Sequence, residues 1–238
     1  MRSEIFNAAN AEVENGQRWI RQSGQMVKVT LGDDVLAVKG AMVAYQGQVT
    51  FNHESAGSLG KLVRRALTNE DTPLMRVAGR GDVFFARLAE HVFFILLEGD
   101  GISINGSSLL AFDAGLSWDV HRVGGAGMMA GGMFNTLIQG TGTVAITSDG
   151  PPMILDCSQQ PTYVDIQAAV AWSANLTPQV AHSMNMRSML RGGSGEAFQY
   201  AFHGPGFVVV QPSEGQPLAH GGGGSSGGGG VLGNLLGG

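Results

Sequence analysis

The sequence predicts an all-β protein, an antiparallel β-sandwich built from about three similar units with one short helix. A first pattern, an apolar residue followed by alanine and an aromatic, predicts the repeat; it occurs at Val43-Ala44-Tyr45, Leu110-Ala111-Phe112 and Val170-Ala171-Trp172. A second pattern, G-x-G before an apolar run, occurs at 79–84, 140–145 and 204–209. The copies of each pattern lie 60 to 67 residues apart, which is typical of internally repeated folds.

Short apolar stretches bounded by Gly, Pro, Asn and Asp supply the predicted strands, because strand-length runs with turn residues between them are typical of sandwiches and barrels. The predicted strands lie at 26–31, 35–38, 83–88, 92–97, 102–104, 137–138, 144–147, 153–155 and 208–210. The short helix is predicted over 59–67, where the apolar residues recur at helical spacing and Ser58 can cap the start.

The repeats divide the folded part into three predicted units, at 24–72, 73–132 and 133–191, with a closing strand pair at 196–211. Each unit has an apolar face that it cannot bury alone, so the units are expected to cover one another and to protect strand edges. Tyr45, Phe112 and Trp172 then fall at equivalent core positions.

The composition changes after this repeated part, which gives three predicted regions. Residues 1–211 form the repeated β-sandwich domain, and 212–230 form a flexible linker with prolines followed by Gly and Ser. Residues 231–238 are a short apolar C-terminal peptide.

Composition also excludes some classes of function. With 238 residues and a net charge of −5, the chain is long enough for a sizeable core and too acidic for a whole-surface nucleic-acid binder. The apolar run at 92–97 is too short to cross a bilayer, and the first ten residues contain Glu4 and no apolar signal region. Together with a single cysteine, Cys157, these features predict a cytoplasmic protein.

The sequence offers no strong catalytic pattern, and we predict no enzyme and no cofactor. Gly140-x-Gly142-x-x-Ala145 matches a dinucleotide fingerprint, but that chemistry needs a helix after the glycines and a strand is predicted there. Cys157 has no neighbouring histidine, so a buried thiol is favoured over a nucleophile. His121 and His182 are assigned to equivalent repeat positions, which favours a structural role.

Three features outside the repeat leave a functional and a structural interpretation open. The first is a cluster of one histidine and three methionines, His182, Met184, Met186 and Met189. Its imidazole and thioethers suit copper(I), although packing is the commoner use of methionine. The second is a basic helix face that could meet anions or a membrane surface, formed by Lys61, Arg64 and Arg65. The third is the tethered apolar tail, a candidate docking peptide with Val231, Leu232, Leu235 and Leu236.

Four stretches of the chain resemble the altered-inheritance-of-mitochondria family, whose members occur in bacteria and in mitochondria. They lie in the expected order over about 26–211, at 40–45, 109–112, 163–172 and 203–211. The resemblance implies a β-sandwich like that of the tryptophan RNA-binding attenuation protein, and it implies homo-oligomers, most often trimers. It brings no catalytic residues.

From these observations we expect a non-enzymatic, oligomeric scaffold or assembly protein. It would act through protein contacts, with a membrane surface as a further possible contact and the tail at 231–238 as a docking peptide. The alternative is a small-ligand or copper-binding module that uses the His/Met cluster at 182–189.

Overall fold

The all-β prediction is confirmed by a computed structural model of the chain, which describes residues 1–54, 74–123, 134–182 and 198–213. Two single-turn 3-10 helices, Glu4–Phe6 and Ala8–Asn10, precede the strands. The strands are β1 Trp19–Ser23, β2 Met26–Leu31, β3 Val35–Val38, β4 Met42–His53, β5 Leu74–Phe85, β6 His91–Asn105, β7 Leu109–Asp113, β8 Ser117–Arg122, β9 Phe134–Ser148, β10 Met153–Asp156, β11 Thr162–Asp165, β12 Ala169–Ser173, β13 Gln179–His182, β14 Phe198–Phe202 and β15 Phe207–Val210. The predicted helix at 59–67 lies outside the described residues.

Several predicted strands were too short, because glycines that resemble turn residues lie inside strands. The stretches at 92–97 and 102–104 are two parts of β6, and those at 137–138 and 144–147 are two parts of β9. A bulge between Glu98 and Asp100 bends β6 without ending it. The glycines at 140 and 142 adopt positive φ angles within β9, which other residues rarely do.

Strand pairing confirms the internal repeat and fixes its units as β2–β5 (unit 1), β6–β9 (unit 2) and β10–β15 (unit 3). In each unit the aromatic residue of the first pattern lies opposite the valine two residues after G-x-G. These pairs are Tyr45 with Val83, Phe112 with Val144, and Trp172 with Val208. A bulge precedes the aromatic at the same place in all three units.

The predicted unit boundaries at 72/73 and 132/133 were therefore wrong. They separate the first pattern from the G-x-G that pairs with it, whereas the observed boundaries fall at 86–90 and 149–152. The predicted closing strand pair at 196–211 belongs to unit 3, because the G-x-G at 204–206 leads into the partner strand of Trp172. Repeat spacing looks the same wherever the unit is taken to start, so only the pairing shows where one unit ends.

Two junctions join the units into a 12-stranded sheet ordered β1-β2-β5-β3-β7-β9-β6-β12-β15-β10, with β4 also beside β5 and β8 beside β9. At the first junction β3 of unit 1 pairs with β7 of unit 2. At the second, β6 of unit 2 pairs with β12 of unit 3. A separate three-stranded sheet, ordered β11-β14-β13, completes unit 3.

In the part of the chain that the structure describes, the core consists of three apolar clusters, and these clusters cross the unit boundaries. Leu110 and Ala111 of unit 2 pack in the cluster of unit 1, and Val170 and Ala171 of unit 3 pack in that of unit 2. The third cluster lies mainly in unit 3 around Trp172. Each of the first two units thus buries apolar side chains of the unit that follows it.

The predicted core position of Tyr45 was wrong. Phe112 and Trp172 are 0% and 1% exposed, whereas Tyr45, at the same register position of unit 1, is 49% exposed. The physical reason is that the strand carrying Tyr45 has a neighbour on one side only among the described residues, as shown below.

We expect Gly81→Ala to lower the free energy of unfolding by more than about 2 kcal/mol, since a positive φ alone costs about 1–2 kcal/mol for other residues. A β-carbon at this position, which has a φ of 138°, would lie 1.9 Å from the carbonyl oxygen of Gln46. Urea denaturation measures the change. Gly32→Ala is the control, because its β-carbon meets nothing within 4 Å, and it should change stability by no more than about 0.5 kcal/mol. Equal effects of the two substitutions would contradict the close strand approach.

Candidate interaction surface at two strand edges

Both junctions between units share one register, which is centred on an alanine of the first pattern. Ala111 lies opposite Ala37 at the first junction, and Ala171 lies opposite Ile104 at the second. The adjacent pairs are Leu36 with Phe112 and Ser103 with Trp172. All four of these side chains are buried.

Each junction also has a residue that projects from the bulge into the preceding unit. Leu110 and Val170 are the extra residues of their bulges, because the residues before and after them have consecutive partners on the paired strand. Both are fully buried, Leu110 in the cluster of unit 1 and Val170 in the cluster of unit 2. A bulge residue therefore anchors each junction.

The strands that would form a third junction are β11 of unit 3 and the first part of β4 of unit 1. Val164 on β11 occupies the register position that Ala37 has in unit 1 and Ile104 has in unit 2. Each of these three residues lies opposite the residue four positions before the G-x-G of its own unit. Ala44 on β4 has the register position of Ala111 and Ala171. The chain thus carries both halves of another junction.

Among the described residues, these two strands have partners on one side only. β11 pairs with β14, and β4 pairs with β5. We call residues 43–46 the β4 edge and residues 162–165 the β11 edge. Unpaired edges offer free backbone donors and acceptors and are ready templates for another strand.

Apolar side chains are exposed on both edges. On the β4 edge Val43 is 51% exposed and Tyr45 is 49% exposed, and on the β11 edge Tyr163 is 59% exposed. Their register equivalents at the two formed junctions are all buried. Clustered apolar exposure at positions that are otherwise covered is typical of a contact surface.

A charge cluster around the buried Lys28 side chain lies beside the β4 edge. The Lys28 ammonium donates to Glu12 at 2.9 Å and to Glu14 at 2.5 Å, and its side chain is 0% exposed. Glu12 also accepts from the Gln46 side chain at 3.3 Å, which ties the N-terminal segment to the β4 edge. Burial alone would lower the pKa of Lys28, but its hydrogen bonds to Glu14 and Glu12 outweigh burial and raise it.

The same cluster has a defined pH dependence. The hydrogen bond from Lys28 lowers the pKa of Glu12 below its usual value. Because the folded-state pKa of Glu12 is the lower one, the stabilisation is complete above the unfolded-state pKa and is lost as the pH falls through the folded-state pKa.

Glu12, Glu14 and Asp82 also lie close enough together to hold a metal ion. The Lys28 ammonium already neutralises two of these carboxylates, so the cluster is an ion-pair site.

A second polar network joins β1 to the G-x-G of unit 2. Asp113 accepts from the side chains of Arg18 and Trp19, and its other oxygen accepts from the backbone N–H of Thr143 at 2.7 Å. In unit 3 the hydroxyl of Ser173 accepts from the N–H of Phe207 in the same way, at 3.0 Å. In both units, the side chain of the residue that follows the aromatic thus accepts a hydrogen bond from the first residue after G-x-G, which is a structural role.

Most residues singled out from sequence lie outside the described residues. These are the basic positions Lys61, Arg64 and Arg65, the tail positions Val231, Leu232, Leu235 and Leu236, and the thioethers Met184, Met186 and Met189. His182 ends β13. The basic face, the docking tail and the copper site therefore stay predictions.

The assignment of His121 and His182 to equivalent positions was wrong by one residue. His121 lies opposite Asn135, five residues before its G-x-G, and His182 lies opposite Phe198, six residues before. Side chains alternate along a strand, so a shift of one residue places the two histidines at different register positions.

Cys157 is a buried thiol, as the sequence favoured, although it lies one residue beyond β10. Burial raises the pKa of the Cys157 thiol, so little thiolate forms near neutral pH. The candidate contact residues that sequence reasoning did not identify are the exposed Val43, Tyr45 and Tyr163. The sequence did contain a signal. Tyr45 stands where the other units carry Phe112 and Trp172, and Tyr163 stands where they carry Leu36 and Ser103.

We expect Cys157 to react with iodoacetamide at least about tenfold more slowly in the folded protein than in urea, because alkylation requires local opening. Mass spectrometry of timed samples measures the rate. An Ile154→Cys variant is the control, since Ile154 is 70% exposed, and its added thiol should react at the rate of the unfolded chain. Equal rates in the folded and urea-unfolded protein would contradict a buried, inert thiol.

We expect Glu12→Gln combined with Glu14→Gln to lower the free energy of unfolding by about 2 kcal/mol or more, because it removes the two negative charges that pair with the buried Lys28 ammonium. Adding Lys28→Met should restore most of this loss, since methionine fills the space without a charge. Urea denaturation of both variants measures the difference. A triple variant no more stable than the double variant would show that the ammonium is not effectively buried.

The chain matches one family model and is similar in fold to a solved structure. A family model described as mitochondrial biogenesis AIM24 matches residues 18–213. The chain is similar to a solved crystal structure, that of protein SPYM3_0169 from Streptococcus pyogenes, with a TM-score of 0.67 and 20% sequence identity. The match covers 82% of this chain and 92% of the streptococcal chain, and it supports the fold. No curated protein gives a significant sequence match.

Proposed function

The chain belongs to the mitochondrial biogenesis AIM24 family, and from that premise we propose that it is a non-enzymatic, homo-oligomeric scaffold or assembly protein. The observation that carries the proposal is the pair of unpaired strand edges with exposed Val43, Tyr45 and Tyr163. Such edges suit the binding of another protein through backbone and side-chain contacts.

The polar side chains of the described residues support a contact role more than a catalytic one. The hydrogen bonds of Lys28 hold the N-terminal segment to β2, and the bond from Thr143 to Asp113 holds β9 to β7. The Cys157 thiol is buried and protonated more readily than usual. We therefore propose that the exposed surface, and not a buried reaction centre, does the work of the protein.

The proposal includes a trimer, or a multiple of it, in the cytoplasm. It also includes the apolar tail at 231–238 as a separate docking peptide for a protein partner, held by the Gly/Ser linker. A flexible tether raises the local concentration of a weakly binding peptide. Among the described residues, no helix is long and apolar enough to span a membrane.

Native mass spectrometry of the full chain tests the proposal. We expect a mass that is a whole multiple of the chain mass, 24.8 kDa, without added mass. A chain truncated before residue 221 should form the same multimer, because the two strand edges lie outside the removed tail. The truncated chain should no longer bind a partner that docks on the tail. A monomer at micromolar concentration would contradict the scaffold function. Added copper that disappears with Met184→Leu and Met186→Leu would favour the metal-binding alternative.

A further inference from the structure

We propose that the partner of each free edge is a second copy of this chain, with the β11 edge of one copy pairing antiparallel to the β4 edge of the next. The proposal rests on the homo-oligomeric function and specifies the surface that forms it. Within the chain, the equivalent of the β11 edge already pairs with the equivalent of the β4 edge twice, at β3–β7 and at β6–β12. The contact between copies repeats that junction once more.

The two internal junctions fix the register of the new one. Ala37 faces Ala111, and Ile104 faces Ala171. Transferred to the free edges, this register places Val164 opposite Ala44. The neighbouring pairs become Tyr163 opposite Tyr45 and Thr162 opposite Gln46. None of these three pairs sets like charges against each other, which would oppose pairing.

The side chains of the two edges are complementary in the way that the internal junctions show. The alanine at the centre of the register is present on the β4 edge as Ala44. Opposite the aromatic of the first pattern, the internal junctions place Leu36 and Ser103, and the new junction places Tyr163. Aromatic pairs across two strands stabilise a sheet. Both tyrosines are exposed, and the Tyr45 ring is held edge-on by Phe51 at a centroid distance of 5.3 Å.

The bulge of unit 1 supplies an anchor for the contact between copies. Val43 is the extra residue of this bulge, as Leu110 and Val170 are in the other units. Those two residues enter the core of the preceding unit and are fully buried. In the assembly, Val43 enters the core of unit 3 of the neighbouring copy, which accounts for its 51% exposure in the single chain.

A second copy is favoured over an unrelated partner because both halves of the junction occur on one chain. The two edges differ from each other, so the contact is head-to-tail. A head-to-tail contact forms a closed ring when its rotation closes, and otherwise forms an open chain. Closure with three copies corresponds to the proposed trimer.

Disulfide trapping tests this register. A Tyr45→Cys chain and a Tyr163→Cys chain of different tag length are mixed and oxidised with oxidised glutathione. We expect a disulfide between the two chains, since side chains directly opposite each other in a sheet have β-carbons about 4.5–5.5 Å apart, close to disulfide range. A control mixture of Tyr45→Cys with Ile154→Cys places its second thiol outside the proposed register, at a position more exposed than Tyr163, and should form at least about tenfold less product. The native Cys157 is buried in every chain.

A charge-exchange pair gives a second, independent readout. Tyr45→Arg should weaken association at least about tenfold, because it buries an unpaired charge at the junction. Tyr163→Glu in the same chain should restore association, because the arginine and the glutamate then lie opposite each other in neighbouring copies. Both positions are exposed in the single chain, so the fold should be retained. Analytical ultracentrifugation measures the association.

The outcomes separate this inference from the proposed function. An interchain disulfide with restored association supports the head-to-tail contact. A disulfide within one chain of the Tyr45→Cys/Tyr163→Cys variant would overturn it, since the third junction would then close inside the chain. A multimer that neither cross-links nor responds to Tyr45→Arg would also overturn it, while the scaffold function would stand. A wild-type monomer would reject both.

Discussion

Each unit of this protein depends on the close approach between the bulged apolar–Ala–aromatic strand and the strand that contains G-x-G. The glycines permit this approach, because they adopt positive φ angles and have no β-carbon. A β-carbon would meet the backbone of β4 in unit 1, the side chains of Asp113 and Leu116 in unit 2, and those of Ser173 and Leu176 in unit 3. The bulge places the aromatic opposite a valine and turns the extra residue toward the preceding unit. One local contact thus sets the structure of a unit and the means by which units join.

The first unit shows how a small change in this contact alters its consequences. In units 2 and 3 the bulged strand ends after five residues, and Leu116 or Leu176 then covers the glycines. In unit 1 the strand continues for 12 residues as β4, because Gly47 lets it follow β5 past the G-x-G. A β-carbon on Gly47 would lie 2.5 Å from the carbonyl oxygen of Arg80. The result is a long hairpin with an outer edge that has no neighbour among the described strands.

The sequence predicts the repeat and the strand content well, because both depend on local patterns. The strands β2 and β3 have the predicted bounds, and the recurring aromatics do share a register position. The starting point of the unit could not be predicted, since glycine marks a turn and also permits a close strand contact. The exposure of Tyr45 could not be predicted either, because burial of that position depends on whether another unit follows it in space. A local pattern contains no information on that point.

The N-terminal segment suggests that the open edges are retained for contact. Lys28, Phe94 and Ile154 occupy the same register position in units 1, 2 and 3. At Lys28 the edge is covered by β1 and the ammonium by two glutamates, so the chain does protect one terminal edge. Among the described residues, neither the β4 edge nor the β11 edge is covered by a strand, and the N-terminal segment reaches the β4 edge only at the Gln46 side chain. Both carry tyrosine, whose ring stabilises an interface while its hydroxyl can stay hydrated. A single copy can therefore expose these edges in water, and the contact that we propose with a second copy would bury the same rings.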